Sequence, residues 1–291
     1  MTRIALVTCI KLPEPDTDEV LLTEALLHAG LYPEVKAWDD DSVEWSRFDL
    51  AIVRSTWNYY LARDRFLAWA EATAAQTRLV NPLPALRWNT HKRYLKSLES
   101  AGIPIVPTQL LVAGTKIQLT ELVDELGYDR IVVKPAVSAG SYKTERFDRQ
   151  SLAAGNAHLA EILATSDAMV QPYMRSVESE GERAIVWIDS TVTHAVRKQP
   201  RFGRDQESVS AATTVTSEER QFAERALAAV PFNEPLLYAR IDVAKDDQGV
   251  LRLMELETTE PSLFLAQHPP ALERFVAAIE NRAKQISRRL G

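Results

Sequence analysis

The chain has 291 residues, 46% of them hydrophobic, with 34 basic and 40 acidic side chains and a formal net charge of −6. This composition supports a sizeable core, in two domains or a few lobes sharing one cleft, and excludes a disordered or fibrous protein. The acidic balance argues against a nucleic-acid coat, no apolar run approaches the ~20 residues of a membrane span, and the N-terminal apolar stretch is too short for a signal peptide.

The first apolar run, 3–9, predicts a strand ending in Cys9, the only cysteine. No internal disulfide can form, and with no His or helix start beside it a buried, inert thiol in a reducing cytoplasm is expected. A helix over 18–29 follows, with Asp16 or Thr17 as cap, acidic Asp18 and Glu19 in its first turn, and Gly30 as its stop. Strands are expected over 34–37 and 50–54. This alternation predicts an α/β class with a parallel, doubly wound sheet on the N-terminal side. No Gly-x-Gly-x-x-Gly follows the first strand, which disfavours the usual dinucleotide site. Where 50–54 stops, Arg54, Ser55, Thr56, Trp57 and Asn58 open a polar and aromatic cluster at the carboxyl end of a strand. It reads as a substrate contact or as a loop packed by its aromatics.

A helix over 63–75 leads through a proline-rich connection at Asn81 and Pro82 to a helix carrying Leu95, Leu98 and Ala101, capped by Asn89 or Thr90. Lys92 would then sit in the first turn, where free backbone N–H groups favour an anion, although a solvated lysine is the plainer reading. The strand 130–134 ends in Lys134, and the loop behind it holds Ser138, Gly140 and Ser141, small residues that let backbone N–H groups approach phosphate oxygens. It is not a Walker A loop. Next come a helix over 152–165, strands over 168–174, 182–188 and 192–197, and a region 199–212 containing Arg201 and Arg204 that reads as a loop over a cleft or a surface loop. Helices are expected over 217–230 and 270–290.

The segment 236–257 is the most informative. Its alternation places Leu236, Tyr238, Arg240 and Asp242 on one face of a first strand and Leu253, Glu255 and Glu257 on one face of a second. The turn at Asp246 to Gly249 brings Asp242 and Glu255 within a residue or two of register. Adjacent carboxylates on a half-buried face repel unless neutralised. A hard divalent cation, Mg²⁺ or Mn²⁺, would do so; so would Arg240, in an ordinary surface ion pair.

In order along the chain, Asn89-Thr90-His91-Lys92, Val132-Val133-Lys134-Pro135, Val170-Gln171-Pro172-Tyr173, Glu182-Arg183 and Arg240-Ile241-Asp242 through Glu255-Leu256-Glu257 resemble the ATP-grasp superfamily of carboxylate ligases, which includes glutathione synthetase and D-alanine-D-alanine ligase. The resemblance implies the ATP-grasp fold, in lobes 1–85, 86–175 and 176–291. It implies ATP phosphates on Lys92 and Lys134 beside Ser138, Gly140 and Ser141, and adenine at Gln171, Pro172, Tyr173 and Met174. Ribose would lie on Glu182 or Glu178, the terminal phosphate on Lys198, and metal on Asp242, Glu255 and Glu257. The third ligand is commonly Asn, so Glu257 is a departure. Arg240 would act with Lys198 in catalysis, and Arg54, Ser55, Thr56, Asn58, Arg204 and Ser262 would meet the substrate.

Within the superfamily, Val53-Arg54-Ser55-Thr56-Trp57-Asn58-Tyr59 and Glu255-Leu256-Glu257 with Glu260-Pro261-Ser262-Leu263-Phe264 are similar to the O-ureido-D-serine cyclo-ligases of D-cycloserine biosynthesis. Those enzymes activate a carboxylate with ATP for ring closure. The residues themselves leave open an intermolecular peptide-type ligase, a kinase, or a nucleotide-binding regulator. A small carboxylate or amino-acid-like substrate is expected and no nucleic acid or membrane partner; oligomeric state is open.

Overall fold

The structure is a computed structural model that describes residues 2–199 and 208–290, the side chains of the last helix as far as 285. Among the described residues no helix is long and apolar enough to cross a membrane.

The first sheet uses β1 (Arg3–Thr8), β2 (Tyr32–Ala37), β3 (Leu50–Ser55) and β4 (Arg78–Val80), all parallel in the order β2-β1-β3-β4. Strand alternation splits its side chains between two cores. Ile4, Leu6 and Ile52 pack with Leu22 and Leu26 of α1 (Glu19–His28) and Phe275 and Ile279 of α9 (Pro269–Leu290). Ala5, Val7 and Val53 pack with Phe66 and Ala70 of α2 (Arg63–Ala74). The doubly wound expectation thus agrees with what is seen. The start of α1 differs. Asp18 precedes the helix, and its buried carboxylate accepts the backbone N–H of Leu263 at 3.2 Å and Leu265 at 2.9 Å, tying in the chain near its C-terminal end.

After β4, the expected connection is instead helical, as α3 (Leu83–Asn89) with proline in its first turn, followed by α4 (Tyr94–Ser100). Asn89 caps neither helix start. Its amide donates to Leu256 O at 2.6 Å and its carbonyl accepts the Thr258 N–H at 2.7 Å, so it splints the exit of the hairpin. The second sheet is antiparallel, in the order β5-β8-β6-β7, from β5 (Gln109–Leu111), β6 (Arg130–Pro135), β7 (Glu145–Asp148) and β8 (Ala168–Pro172). Leu119, Leu122 and Val123 of α5 (Leu119–Leu126) and Leu159 and Ile162 of α6 (Leu152–Leu163) pack against Ile131, Val133 and Val170.

A short α7 (Ser176–Ser179) leads to the third sheet, β10-β9-β11-β12, from β9 (Glu182–Ile188), β10 (Thr191–Lys198), β11 (Tyr238–Lys245) and β12 (Leu251–Glu257). Between β10 and β11, α8 (Ser217–Ala228) starts on a capping box in which Thr216 and Glu219 satisfy each other's backbone N–H groups. In the β11–β12 hairpin Asp242 faces Glu255, inside the register the sequence predicts to within a residue or two, and Arg240 faces Glu257. A bulge then pairs Val243 with Leu253 and leaves Met254 over. Leu253 therefore leaves the face carrying Glu255, contrary to strict alternation, and Met254 joins Glu255 on the cavity wall.

Candidate active site

A cavity of about 580 Å³ opens where the three sheets meet. Lys92 lines it, but not from a helix first turn. It lies just before α4, its backbone N–H bonded to Ala136 O at 2.7 Å, which pins it beside the exit of β6. Its Nζ stands 3.1 Å from Glu255 Oε2 and donates to Ser138 O at 3.2 Å. Lys134, on the last turn of side chains along β6, donates to Glu255 Oε1 at 2.7 Å. One carboxylate thus holds two ammonium groups from different elements.

The neighbouring carboxylates are bound in the same way. Lys198, ending β10, donates to Glu182 Oε1 at 2.8 Å and Asp242 Oδ2 at 2.9 Å. Arg240 donates to Asp242 at 2.8 Å and 2.9 Å and to Glu257 Oε1 at 2.5 Å. Arg240 pairs with Glu257 rather than Glu255, and the Arg240–Asp242 pair is buried rather than on the surface, Asp242 being 0% exposed.

Burial works against every one of these charges, and the neighbours decide the outcome. Against it, Arg240 and Lys198 hold Asp242 down at about 2, and Lys134 and Lys92 hold Glu255 well below the usual carboxylate range. Burial pushes Glu182 up to about 7 despite Lys198, and pushes Glu260 up to about 8, reinforced by Glu257. Five carboxylates, Glu182, Asp242, Glu255, Glu257 and Glu260, stand among four cations, Lys92, Lys134, Lys198 and Arg240. Among the described residues no three of the acids converge on one point, because each of Asp242, Glu255 and Glu257 is turned to a lysine or arginine. An oxygen-only donor set with acid in excess fits a hard divalent cation, provided an anion draws the lysines away.

Other sequence candidates divide between cavity and scaffold. Ser138, Gly140 and Ser141 line the cavity, Gly140 and Ser141 with φ of 58° and 61°. Gln171, Pro172, Tyr173 and Met174 line its far end. There Met174, Val106, Val177 and Met254 form an apolar wall, and the Gln171 side chain is spent on Thr108 Oγ1 at 2.8 Å. Glu182 lines the cavity. Glu178 does not: it pairs outside with Arg130 at 3.1 Å and Arg146 at 3.0 Å. Ser262 is in the lining; Arg201 and Arg204 lie outside the described residues.

At the substrate end the geometry corrects the sequence reading. Arg54, Ser55, Thr56 and Asn58 do not line the cavity, because β3 runs on to Ser55 and the sheet and its loops absorb these side chains. Arg54 lies against the rings of Tyr238 and Phe275 and donates to Pro261 O at 3.4 Å. Ser55 donates to Thr8 Oγ1, Thr56 is fully buried, and Asn58 is held between Trp38 and Asp39. Trp57, Tyr59 and Tyr60 line the cavity in their place, with Glu260, which carried no role in the sequence reading. In the sequence it stands only as the first residue of the Glu260-Pro261-Ser262-Leu263-Phe264 block, with no role attached to its side chain.

The chain matches known proteins along its whole length. The family model described as D-cycloserine synthetase DcsG, N-terminal domain, matches residues 4–81. The cycloserine biosynthesis protein DcsG of Streptomyces lavendulae is 32% identical over 300 residues, covering 98% of this chain and 100% of the relative. The crystal structure of D-cycloserine synthetase DcsG superposes with a TM-score of 0.88 at 30% identity, over 98% of this chain and 99% of that one. The D-alanine–D-alanine ligase of Bacillus anthracis complexed with ATP gives a TM-score of 0.68 at 14% identity over 100% of both chains, which bears on the fold alone. The chain therefore has the ATP-grasp fold and belongs to the DcsG family of ATP-dependent ligases.

Proposed function

We propose that this ligase activates the carboxylate of O-ureido-D-serine with ATP and closes it to D-cycloserine. The observation that carries the reading is the convergence of Lys92 and Lys134 on Glu255 beside the small-residue loop. In the proposed complex adenine lies against Met174, Val106 and Met254, and the ribose reaches Glu182. The phosphates run past Lys92, Lys134 and Ser138 to Ser141, with lobes 1–85, 86–175 and 176–291 each giving one wall. A cavity of about 580 Å³ suits a nucleotide with a small amino-acid-like molecule.

Drawn to phosphate, the two lysines release Glu255, which with Asp242 and Glu257 would hold Mg²⁺ or Mn²⁺. The cation supplies further neutralisation of the triphosphate. Without such neutralisation a carboxylate is repelled by the phosphates it must attack. The substrate carboxylate oxygen bonds to the terminal phosphorus, ADP leaves, and an acyl phosphate forms. The nitrogen bonded to the side-chain oxygen then attacks the acyl carbon and phosphate departs; a water then hydrolyses the carbamoyl group from that nitrogen, releasing carbon dioxide and ammonia, which leaves D-cycloserine. Arg240 and Lys198 steady the transferred group, and the intramolecular nucleophile has a high effective concentration. Trp57, Tyr59 and Tyr60 close the substrate end against water.

The test is ADP release with O-ureido-D-serine, small amino acids and dipeptides, followed by mass spectrometry of the product. Substrate-stimulated ADP with D-cycloserine supports the reading. ADP and a dipeptide mean an intermolecular ligase, a stable phosphorylated product means a kinase, and no stimulation means a non-catalytic binder.

A further inference from the structure

Glu260 is the buried cavity carboxylate that the charge network leaves over. It is 8% exposed and lines the cavity, yet among the described residues no Lys, Arg or His nitrogen lies within 4.0 Å of its carboxylate, and no hydrogen bond reaches it. Glu182, Glu255 and Glu257, part-buried acids in the lining, each have a cation at 2.5 to 3.1 Å. Its placement is built rather than incidental. Trp57 Nε1 donates to Glu260 O at 2.9 Å, Arg54 to Pro261 O at 3.4 Å, and Arg240 to Ser262 O at 3.3 Å. Three successive carbonyls are thus clamped from three directions, holding the Glu260 side chain at the end of the cavity walled by Trp57 and Tyr59.

A buried carboxylate is costly unless a cation or donor meets it. Among the described residues no cation stands within 4.0 Å of it, Lys92 and Arg240 acting only from farther off, so burial favours its protonated form until a cationic ligand supplies the close counter-charge. Resting on the substrate placement proposed above, we infer that Glu260 receives the α-ammonium of an amino-acid substrate and so selects amino acids over plain carboxylic acids. The ammonium donates to the Glu260 carboxylate while the substrate carboxylate points towards Arg240 and the phosphates. Glu260 is then a specificity residue set three positions after Glu257, and it takes no part in phosphoryl transfer.

Isothermal titration in the presence of magnesium and a non-hydrolysable ATP analogue tests this, with O-ureido-D-serine and the same molecule lacking its α-amino group as the two ligands. The wild-type chain is expected to bind the amino-bearing ligand more tightly. Glu260→Gln keeps the shape and the loop clamp; it should weaken that ligand about tenfold to a hundredfold and leave the desamino ligand and the ATP analogue within about twofold. Glu260→Asp should fall between. Equal wild-type affinities, equal losses for both ligands, an unchanged Glu260→Gln, or a loss appearing instead in Glu14→Gln, Glu14 being a further acid of the cavity lining, would each overturn the inference. Wild-type ADP release judges the ligase reading separately, so either can fail alone.

Discussion

Lys134 on β6 and Glu255 on β12 stand 121 residues apart in sequence and meet at 2.7 Å inside the cavity. Neither charge is comfortable there alone, and the pair joins the second sheet to the third. Replacing Lys134 by Ala removes one of the two cations on Glu255 and one of the two proposed phosphate contacts. ATP affinity is expected to fall about a hundredfold, in line with ~3 kcal/mol for breaking a buried pair. Lys143→Ala is the control, since Lys143 is bound to Glu161 at 2.6 Å on the surface. It should change ATP affinity less than about twofold. Equilibrium titration of a fluorescent ATP analogue against both variants decides the matter, and equal effects would misplace the phosphate site.

Glu255→Gln should abolish ADP formation and leave the far-ultraviolet circular dichroism spectrum unchanged. The amide cannot balance Lys92 and Lys134, so the melting temperature is also expected to fall by several degrees. Chelation with EDTA should stop turnover of the wild-type chain, and Mg²⁺ or Mn²⁺ should restore it. Normal turnover by Glu255→Gln, or turnover in EDTA, would remove the metal assignment.

Two buried imidazoles give a signed pH dependence. Burial, with His268 stacked at 4.9 Å, lowers His194 to about 4. Burial and Arg93 lower His91 to about 4, against the pull of Asp167. Unfolded histidine titrates near 6.5, so between about 6.5 and 4 the unfolded chain holds more protons than the folded one. Stability is then full above about 6.5 and drains away as pH falls towards 4, by about 2 kcal/mol for His194 after allowing for solvent screening. Urea midpoints measured from pH 7.5 to 4.5 should show this slope, and His194→Gln should flatten part of it. An unchanged slope would contradict the assignment.

Cys9 is expected to be inert. Burial pushes its thiol up to about 11, and it is 3% exposed. At pH 8 only about one molecule in a thousand carries the thiolate. Iodoacetamide should label the native chain far more slowly than the unfolded chain, and Cys9→Ala should retain full ligase activity. Rapid native labelling with loss of activity would give Cys9 a role.

The carboxylate hairpin was legible because a period of two and a turn ending in Gly249 fix register locally, so that Asp242 lands opposite Glu255. The apolar strands β1, β3, β6 and β9 were legible for the same local reason. The elements that escaped were short or polar, such as three-residue β4 and β5 and the edge strand β7, where pairing partners supply what the segment lacks. At the site, sequence order located both lysines, but long-range partners such as Pro261, Thr8, Trp38 and Asp39 hold Arg54, Ser55 and Asn58 off the cavity, and Thr56 is buried beside them. Glu260 was beyond reach, because its position depends on Trp57, 203 residues away.

The central claim is that a substrate carboxylate is phosphorylated in this cavity. Its most direct test uses O-ureido-D-serine labelled with ¹⁸O in both carboxylate oxygens, incubated with unlabelled ATP in unlabelled water. If an acyl phosphate forms and its acyl carbon is then attacked by nitrogen, one labelled oxygen must leave with phosphorus, and the inorganic phosphate will carry one ¹⁸O per turnover. Phosphate free of label, released alongside product, would contradict the account.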